Sequence, residues 1–232
     1  LSLGRVAKLG AGTGLLGVVG VLVTHWLVFF WVPTDAFQGV IQRIFYIHVP
    51  AAWITEMAFA LTALCSVVYL WLGDDRADAA GRVLVEAGLY FGALLLIVGP
   101  LWGRVAWGAY WTWEPRLTLT LLLWFIFLGY QMVRRATENP ERGKRLAAVV
   151  AIVGALDIPL IHMSVYWFRS LHPQPVVMRP SGPTADPEMV TTLMVALLSY
   201  TLVFFGVVTV RYVLERTERR LEAWVAVEAA AT

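Results

Sequence analysis

Six apolar runs, each long enough or nearly long enough to cross a bilayer, decide what this chain can fold into. They cover residues 11–32, 48–72, 83–103, 117–133, 146–168 and 189–212. A crossing helix needs about 20 mostly apolar residues. In lipid every backbone N–H and C=O must also find its partner within the protein, which leaves helices or closed barrels. Ten-residue stretches of alternating polarity, the mark of a barrel, are absent. The expected fold is an all-α integral membrane protein of about six transmembrane helices, one polytopic domain over residues 1–232. The composition agrees, with 59% hydrophobic and only 15% charged residues, against roughly 25% charged in soluble domains. A net charge of +2 is too small to suggest a nucleic-acid partner. The first run follows Arg5 and Lys8 as a signal peptide would, but it is too long and lacks a small-x-small cleavage site, so it reads as an uncleaved first span. Cys65 lies alone inside an apolar run, which excludes an intrachain disulfide, a thiolate cluster and a CxxCH attachment site.

Charge sets the expected orientation. Of the 18 Lys and Arg residues, only Arg43, Arg104, Arg116, Arg169 and Arg179 fall in segments 33–47, 104–116 and 169–188. The others gather at the N-terminus, in 73–82, in 134–145 and after residue 210. The positive-inside rule then puts both termini in the cytoplasm and the three segments outside, which in a bacterium is the periplasm.

The second outer segment, "RVAWGAYWTWEPRLT", is unlike a connecting loop, which is normally small and polar. Four of the 11 tryptophans fall between Trp102 and Trp113. An interfacial aromatic belt is one reading; a platform for a flat ligand is the other. Trp107, Tyr110 and Trp111 stand at helical spacing and are expected to share one face of a short helix. Pro115 ends that helix or starts the next, and Glu114 and Arg116 stand at the platform's edge.

None of the four histidines lies in an inner loop. His25 and His162 fall in the outer halves of their spans. His48 follows "TDAFQGVIQRIFYIH", where Asp35 and Gln38 have capping-box spacing. Phe37, Val40, Ile41, Ile44 and Phe45 recur as an apolar stripe. The segment is expected to be a short amphipathic helix on the membrane surface. His48 continues its stripe, and Pro50 sits in the first turn of the following span. His172 lies in "RSLHPQPVVMRPSGPTADPE", which holds Pro173, Pro175, Pro180, Pro183 and Pro187 and is expected to be an extended loop. Taken singly, each histidine fits a structural role. Taken together, two imidazoles flank an aromatic patch on one face of the membrane. Neutral imidazole is a good axial ligand for haem iron, and a flat apolar macrocycle packs well on tryptophan. Arg43, Arg104, Arg116 and Arg169 are on the same side to bind propionates. Zinc is a weaker candidate, because two histidines do not complete its usual ligand set and zinc gives no reason for the tryptophans.

At these residues a family resemblance appears. "WGAYWTWEPRLT" resembles the tryptophan-rich WWD signature of haem-handling proteins in cytochrome c biogenesis. "YIHVPAAW" and "IHMSVYWFRSLHPQP" resemble the histidine segments that flank it. Six spans with both termini inside look like the heme exporter protein C (CcmC) family, and the resemblance covers about residues 20–210. It implies His48 and His172 as axial ligands of a non-covalent haem b. It implies that the loop bearing Arg104, Trp107, Tyr110, Trp111, Trp113, Glu114 and Arg116 holds the macrocycle. The implied partners are the periplasmic haem chaperone CcmE, the ABC-type pair CcmA and CcmB, and small CcmD; the implied location is the bacterial inner membrane. Tyr110 stands where the signature usually has tryptophan and Glu114 where it has aspartate, with ring and charge type kept. Pro115 stands where a small residue is usual.

The expected function is haem binding and delivery without turnover chemistry, the one assisted step being covalent attachment in the chaperone. The alternative is a b-type cytochrome subunit that passes electrons, with His25 and His162 as an in-membrane pair. A purely structural assembly subunit is a third. Glu56 and Asp157 are ionisable groups within spans, which are costly there; both are expected to hydrogen-bond within the bundle.

Overall fold

The computed structural model describes residues 2–172, 177 and 181–231. Pro173, Pro175, Pro180 and Arg179 lie outside the described residues. Seven α-helices run in chain order: α1 (Leu3–Phe30), α2 (Phe45–Leu72), α3 (Asp75–Ala106), α4 (Pro115–Ala136), α5 (Pro140–Ala155), α6 (Asp157–Trp167) and α7 (Pro187–Ala231). Among the described residues six segments are long and apolar enough to cross a membrane, with α5 and α6 together forming the fifth. The expected all-α, six-span architecture is therefore the one observed. The fifth span breaks at Leu156, and Asp157 opens α6 with Pro159 in its first turn. An acid at that position complements the positive end of the helix dipole.

Small residues bring α1 and α7 together. A Cβ on Gly10 would lie 2.8 Å from Thr209, and one on Gly20 would strike the Ser199 hydroxyl. Gly14 and Gly206 face each other backbone to backbone. Lipid tails are as apolar as the helices, so close backbone approach, rather than hydrophobic burial, holds such pairs. The central core lies among α2 to α6, where Phe59 and Phe127 stack at 4.0 Å with rings 2° from parallel, surrounded by Val85, Leu123, Ala147, Ala151 and Ile161. Gly88 lets α3 lie directly on Ala58 and Phe59.

The charged end of the bundle is tied by a network that spacing did not reveal. Asp78 on α3 is forked by Arg134 of α4 at 2.5 and 3.0 Å and also meets Arg219 of α7 at 3.1 Å. Arg219 and Arg82 both reach Glu215. Arginines that read as orientation markers thus also clamp three helices. Removing one partner of a buried pair strands the other charges. Asp78→Ala is expected to destabilise the fold by about 3–5 kcal/mol, read as a lowered unfolding temperature in lipid nanodiscs; an unchanged temperature contradicts the clamp.

At the other end, the segment expected as a surface amphipathic α-helix is different. Asp35 Oδ1 accepts from the backbone N–H of Phe37 and of Gln38, at 2.8 and 2.7 Å, closing a turn. Gly39, at φ 60°, then redirects the chain, and a 3-10 helix over Val40–Ile44 runs straight into α2. The left-handed glycine stops the helical repeat that the apolar stripe suggested. Gln42, although polar and outside the apolar stripe, is buried. Pro50 lies beyond the first turn of α2, where it cannot donate to the Tyr46 carbonyl.

Candidate functional site

The site is assembled from the start of α2, the end of α3, the start of α4 and the loops after α3 and α6. His48 occupies the first turn of α2. Its ring lies against Gly99 of α3, where a Cβ would come within 3.1 Å of Cε1. A side chain at 99 would push the imidazole away. Pro100 follows, and its missing N–H leaves the carbonyl of Leu96 without its helical partner beside the cleft. Trp102 stands 5.5 Å from His48 at 76°. Its indole N–H donates to Gln38 Oε1 at 2.6 Å, which fixes the ring. Trp102, Gln38 and Gly99 were not assigned to the site from sequence; the crowding of tryptophans from Trp102 onward was the one available signal.

Helix α3 ends at Ala106, and residues 107–114 are not helical. The short helix expected to align Trp107, Tyr110 and Trp111 does not form. Gly108, at φ 79°, takes the left-handed conformation that stops α3, and the chain then extends to Pro115, the first residue of α4. The aromatic residues are consequently split. Trp107 and Trp111 line a cleft together with His48, His172, Trp102 and Arg116. Gly103 makes the seat for Trp107, since a Cβ there would meet the indole at 3.1 Å. Trp113 is 75% and Tyr110 59% exposed, on a shoulder outside the cleft. Arg104 joins that shoulder, with its guanidinium 5.8 Å from the Tyr110 ring and Nη1 donating to the Gly108 carbonyl at 2.5 Å. Arg169 is exposed, and Arg43 lines a different furrow.

Glu114 is buried and does not line the cleft. Its partner is the chain that carries His172. Glu114 Oε2 accepts from the Ser170 hydroxyl and from the Leu171 N–H, each at 2.7 Å. Ser170 Oγ in turn accepts from the His172 N–H at 3.0 Å. A loop histidine is thereby pinned by a charged acceptor, whose hydrogen bonds are stronger than neutral ones. Its ring stands 6.0 Å from Trp107 and 6.4 Å from His48.

Rings 6.4 Å apart leave room between them for a metal centre, so His48 and His172 would suit a metal-centred macrocycle, which would draw its axial nitrogens from them. His48 Nδ1 is buried without a hydrogen-bond partner, so the ring is not committed elsewhere through that atom. Among the described residues no group of three His, Cys, Asp or Glu could hold a bare metal ion; a macrocycle supplies its own equatorial nitrogens. The cleft holds about 190 Å³, less than the roughly 300–1,000 Å³ of enclosed small-molecule sites. A ligand of macrocycle size would be gripped at its centre with an edge outside.

Glu56 lines the cleft two turns below His48, about 12 Å along the helix. Its carboxylate meets His162 Nε2 at 2.8 Å. His25 is turned to the Val21 carbonyl at 2.8 Å. His162 Nε2 is thus taken up by Glu56, and His25 lines a separate furrow on α1, so the in-membrane pair of the electron-carrying alternative is not seen among the described residues. Asp157 is buried, with Oδ2 lacking a partner among the described residues.

Comparison with known proteins bears on the chain as a whole. The family model for heme exporter protein C matches residues 5–226. Heme exporter protein C of Bradyrhizobium diazoefficiens is 38% identical over 74% of this chain, and the match spans 65% of that protein's length, just under two thirds. Heme exporter protein C of Haemophilus influenzae is 29% identical over 91% of this chain and 85% of its own. A Marchantia polymorpha protein, named as a putative cytochrome c biosynthesis ccmC-like mitochondrial protein, is 32% identical over 80% of this chain and 77% of its own.

Proposed function

The chain belongs to the heme exporter protein C family, and from that membership we propose that it holds haem between His48 and His172 at the outer face of the membrane and presents it to a haem chaperone. The observation that carries this reading is the pair of imidazoles 6.4 Å apart across an open, indole-lined cleft. Haem brings four equatorial nitrogens and two carboxylates; the chain contributes the rest. His48 and His172 are the axial ligands of a non-covalent b-type haem. Trp102, Trp107 and Trp111 flank the macrocycle and exclude water. Arg116, inside the cleft, takes a propionate. Arg104, Tyr110 and Trp113 form the exposed shoulder that meets the acceptor.

The acceptor is CcmE, and CcmA, CcmB and CcmD complete the assembly in the bacterial inner membrane, with both termini and the Asp78 clamp cytoplasmic. Two histidine ligands leave iron no open position, so the site stores and orients haem rather than activating a substrate. The protein is accordingly not an enzyme; it positions the haem edge for the bond that forms on the chaperone. The test is the absorption spectrum of the protein purified with and without co-expressed chaperone. A six-coordinate low-spin haem is expected, diminished when the chaperone is present to accept it. Purification without haem under both conditions overturns the proposal.

A further inference from the structure

We propose that the furrow between α1 and the 3-10 helix is a second, weaker haem-docking site, where His25 meets the iron and Arg43 a propionate before haem passes to the His48–His172 cleft. This rests on the haem-handling reading above.

The furrow holds about 300 Å³, and its walls are Val28, Phe29, Val40, Ile44 and Ile47 with four residues that carry polar atoms, Thr24, His25, Arg43 and Tyr46. The Thr24 hydroxyl is spent on the Gly20 carbonyl at 2.9 Å and the Tyr46 hydroxyl is buried, while His25 and Arg43 are each left with an unmet need. His25 Nδ1 lies 2.8 Å from the Val21 carbonyl, which can only accept, so Nδ1 carries the proton. Nε2 is then the ring atom left to face a ligand, the arrangement that prepares a histidine to ligate a metal. Arg43 has its guanidinium 5.6 Å from the Phe29 ring. Its Nε is buried without a hydrogen-bond partner, and no ion pair joins it to a described residue. Arg43 is half-buried, and its buried Nε lacks an acceptor that an anionic ligand would supply.

A phosphatidylcholine headgroup satisfies the arginine alone, since it offers acceptors and no donor for Nε2. Headgroups with an ammonium or hydroxyl donor, such as phosphatidylglycerol, meet both polar groups but bring no flat apolar body to the furrow wall. A ligand with an apolar flat body, carboxylates and a metal centre meets the furrow wall, Arg43 and His25 at once. Phe29 is 57% and Val40 65% exposed, so the furrow opens to the surrounding lipid, where an amphiphilic ligand would collect. Ile47 faces the furrow and His48 the cleft. Consecutive helical residues stand about 100° apart, so the two sites flank one turn of α2 and a ligand moves between them around a single helix.

The experiment is a haem titration of the protein in phosphatidylcholine nanodiscs, followed by absorption. Wild-type protein is expected to bind in two phases. The doubly substituted His48→Ala, His172→Ala protein keeps only the weaker phase, with a five-coordinate spectrum. Adding His25→Gln abolishes that spectrum, and adding Arg43→Gln weakens the phase about tenfold or more. In the wild-type background His25→Gln preserves the six-coordinate spectrum, which reports correct folding, and slows its appearance when haem is supplied from lipid. If the wild type binds one haem and the double variant none, the furrow site is overturned while the main reading stands. If the wild type binds none, the main reading fails. Residual binding indifferent to both His25→Gln and Arg43→Gln is partition into lipid, and it overturns the proposal. So does phosphatidylglycerol retained through Arg43 in native mass spectrometry with no haem phase.

Discussion

His48→Ala and His172→Ala are each expected to convert a six-coordinate haem to a five-coordinate one and to lower haem retained through purification by about tenfold or more. A tenfold change corresponds to roughly 1.4 kcal/mol, a modest demand on a metal–ligand bond. The two losses should differ in kind. His48 sits on a rigid helix turn, seated against Gly99 and Trp102; its removal leaves a ring-sized gap bounded by fixed walls. Added imidazole should fill that gap and restore much of the six-coordinate spectrum. His172 sits on a loop, and its removal frees no comparable pocket, so imidazole should restore less. Unchanged haem content in both variants contradicts axial ligation by this pair.

The second large effect is expected at a residue that does not line the cleft. Glu114→Ala removes the acceptor of two hydrogen bonds at once, from the Ser170 hydroxyl and the Leu171 N–H. Hydrogen bonds to a charged group contribute about 1.5–3 kcal/mol each, and loss of groups that orient a ligand typically costs roughly 10–100-fold in affinity. Haem affinity should fall by that factor and the spectrum should become that of a protein ligated by His48 alone. Glu114→Gln keeps an acceptor oxygen without the charge and should fall between Ala and wild type. A variant that loses haem merely through a damaged fold would show no such grading and no five-coordinate intermediate. Full retention of the six-coordinate spectrum in Glu114→Ala would sink the positioning role.

The contrast between these residues shows what was legible beforehand. His48 was singled out because its neighbours form an apolar stripe and a proline follows. His48 does lie in the first turn of a span, but the helix carrying it does not begin as the stripe suggested, since Gly39 and the Asp35 turn come first, and Pro50 falls beyond that first turn. Glu114 was singled out by its place in a tryptophan-rich motif, but its partner could not be read. Ser170 is 56 positions away, and nothing in the spacing of either segment points to the other. Trp113 and Tyr110 illustrate the same limit from the opposite side. Their ring chemistry matched Trp107 and Trp111, yet Gly108 turns the chain so that two rings line the cleft and two face outward.

The six spans, the placement of loops and the inventory of imidazoles, indoles and guanidinium groups were determined by the sequence alone. The reason is that lipid acts on each residue by its own transfer energy, summed along about 20 neighbours, so the outcome is written locally. The tertiary structure alone decided which of those groups meet: His48 with His172, Glu114 with the loop that carries it, Asp78 with Arg134 and Arg219. Those meetings depend on how closely helices approach, which here turns on glycines such as Gly99, Gly103 and Gly206 whose missing side chains act across a gap that no local pattern measures.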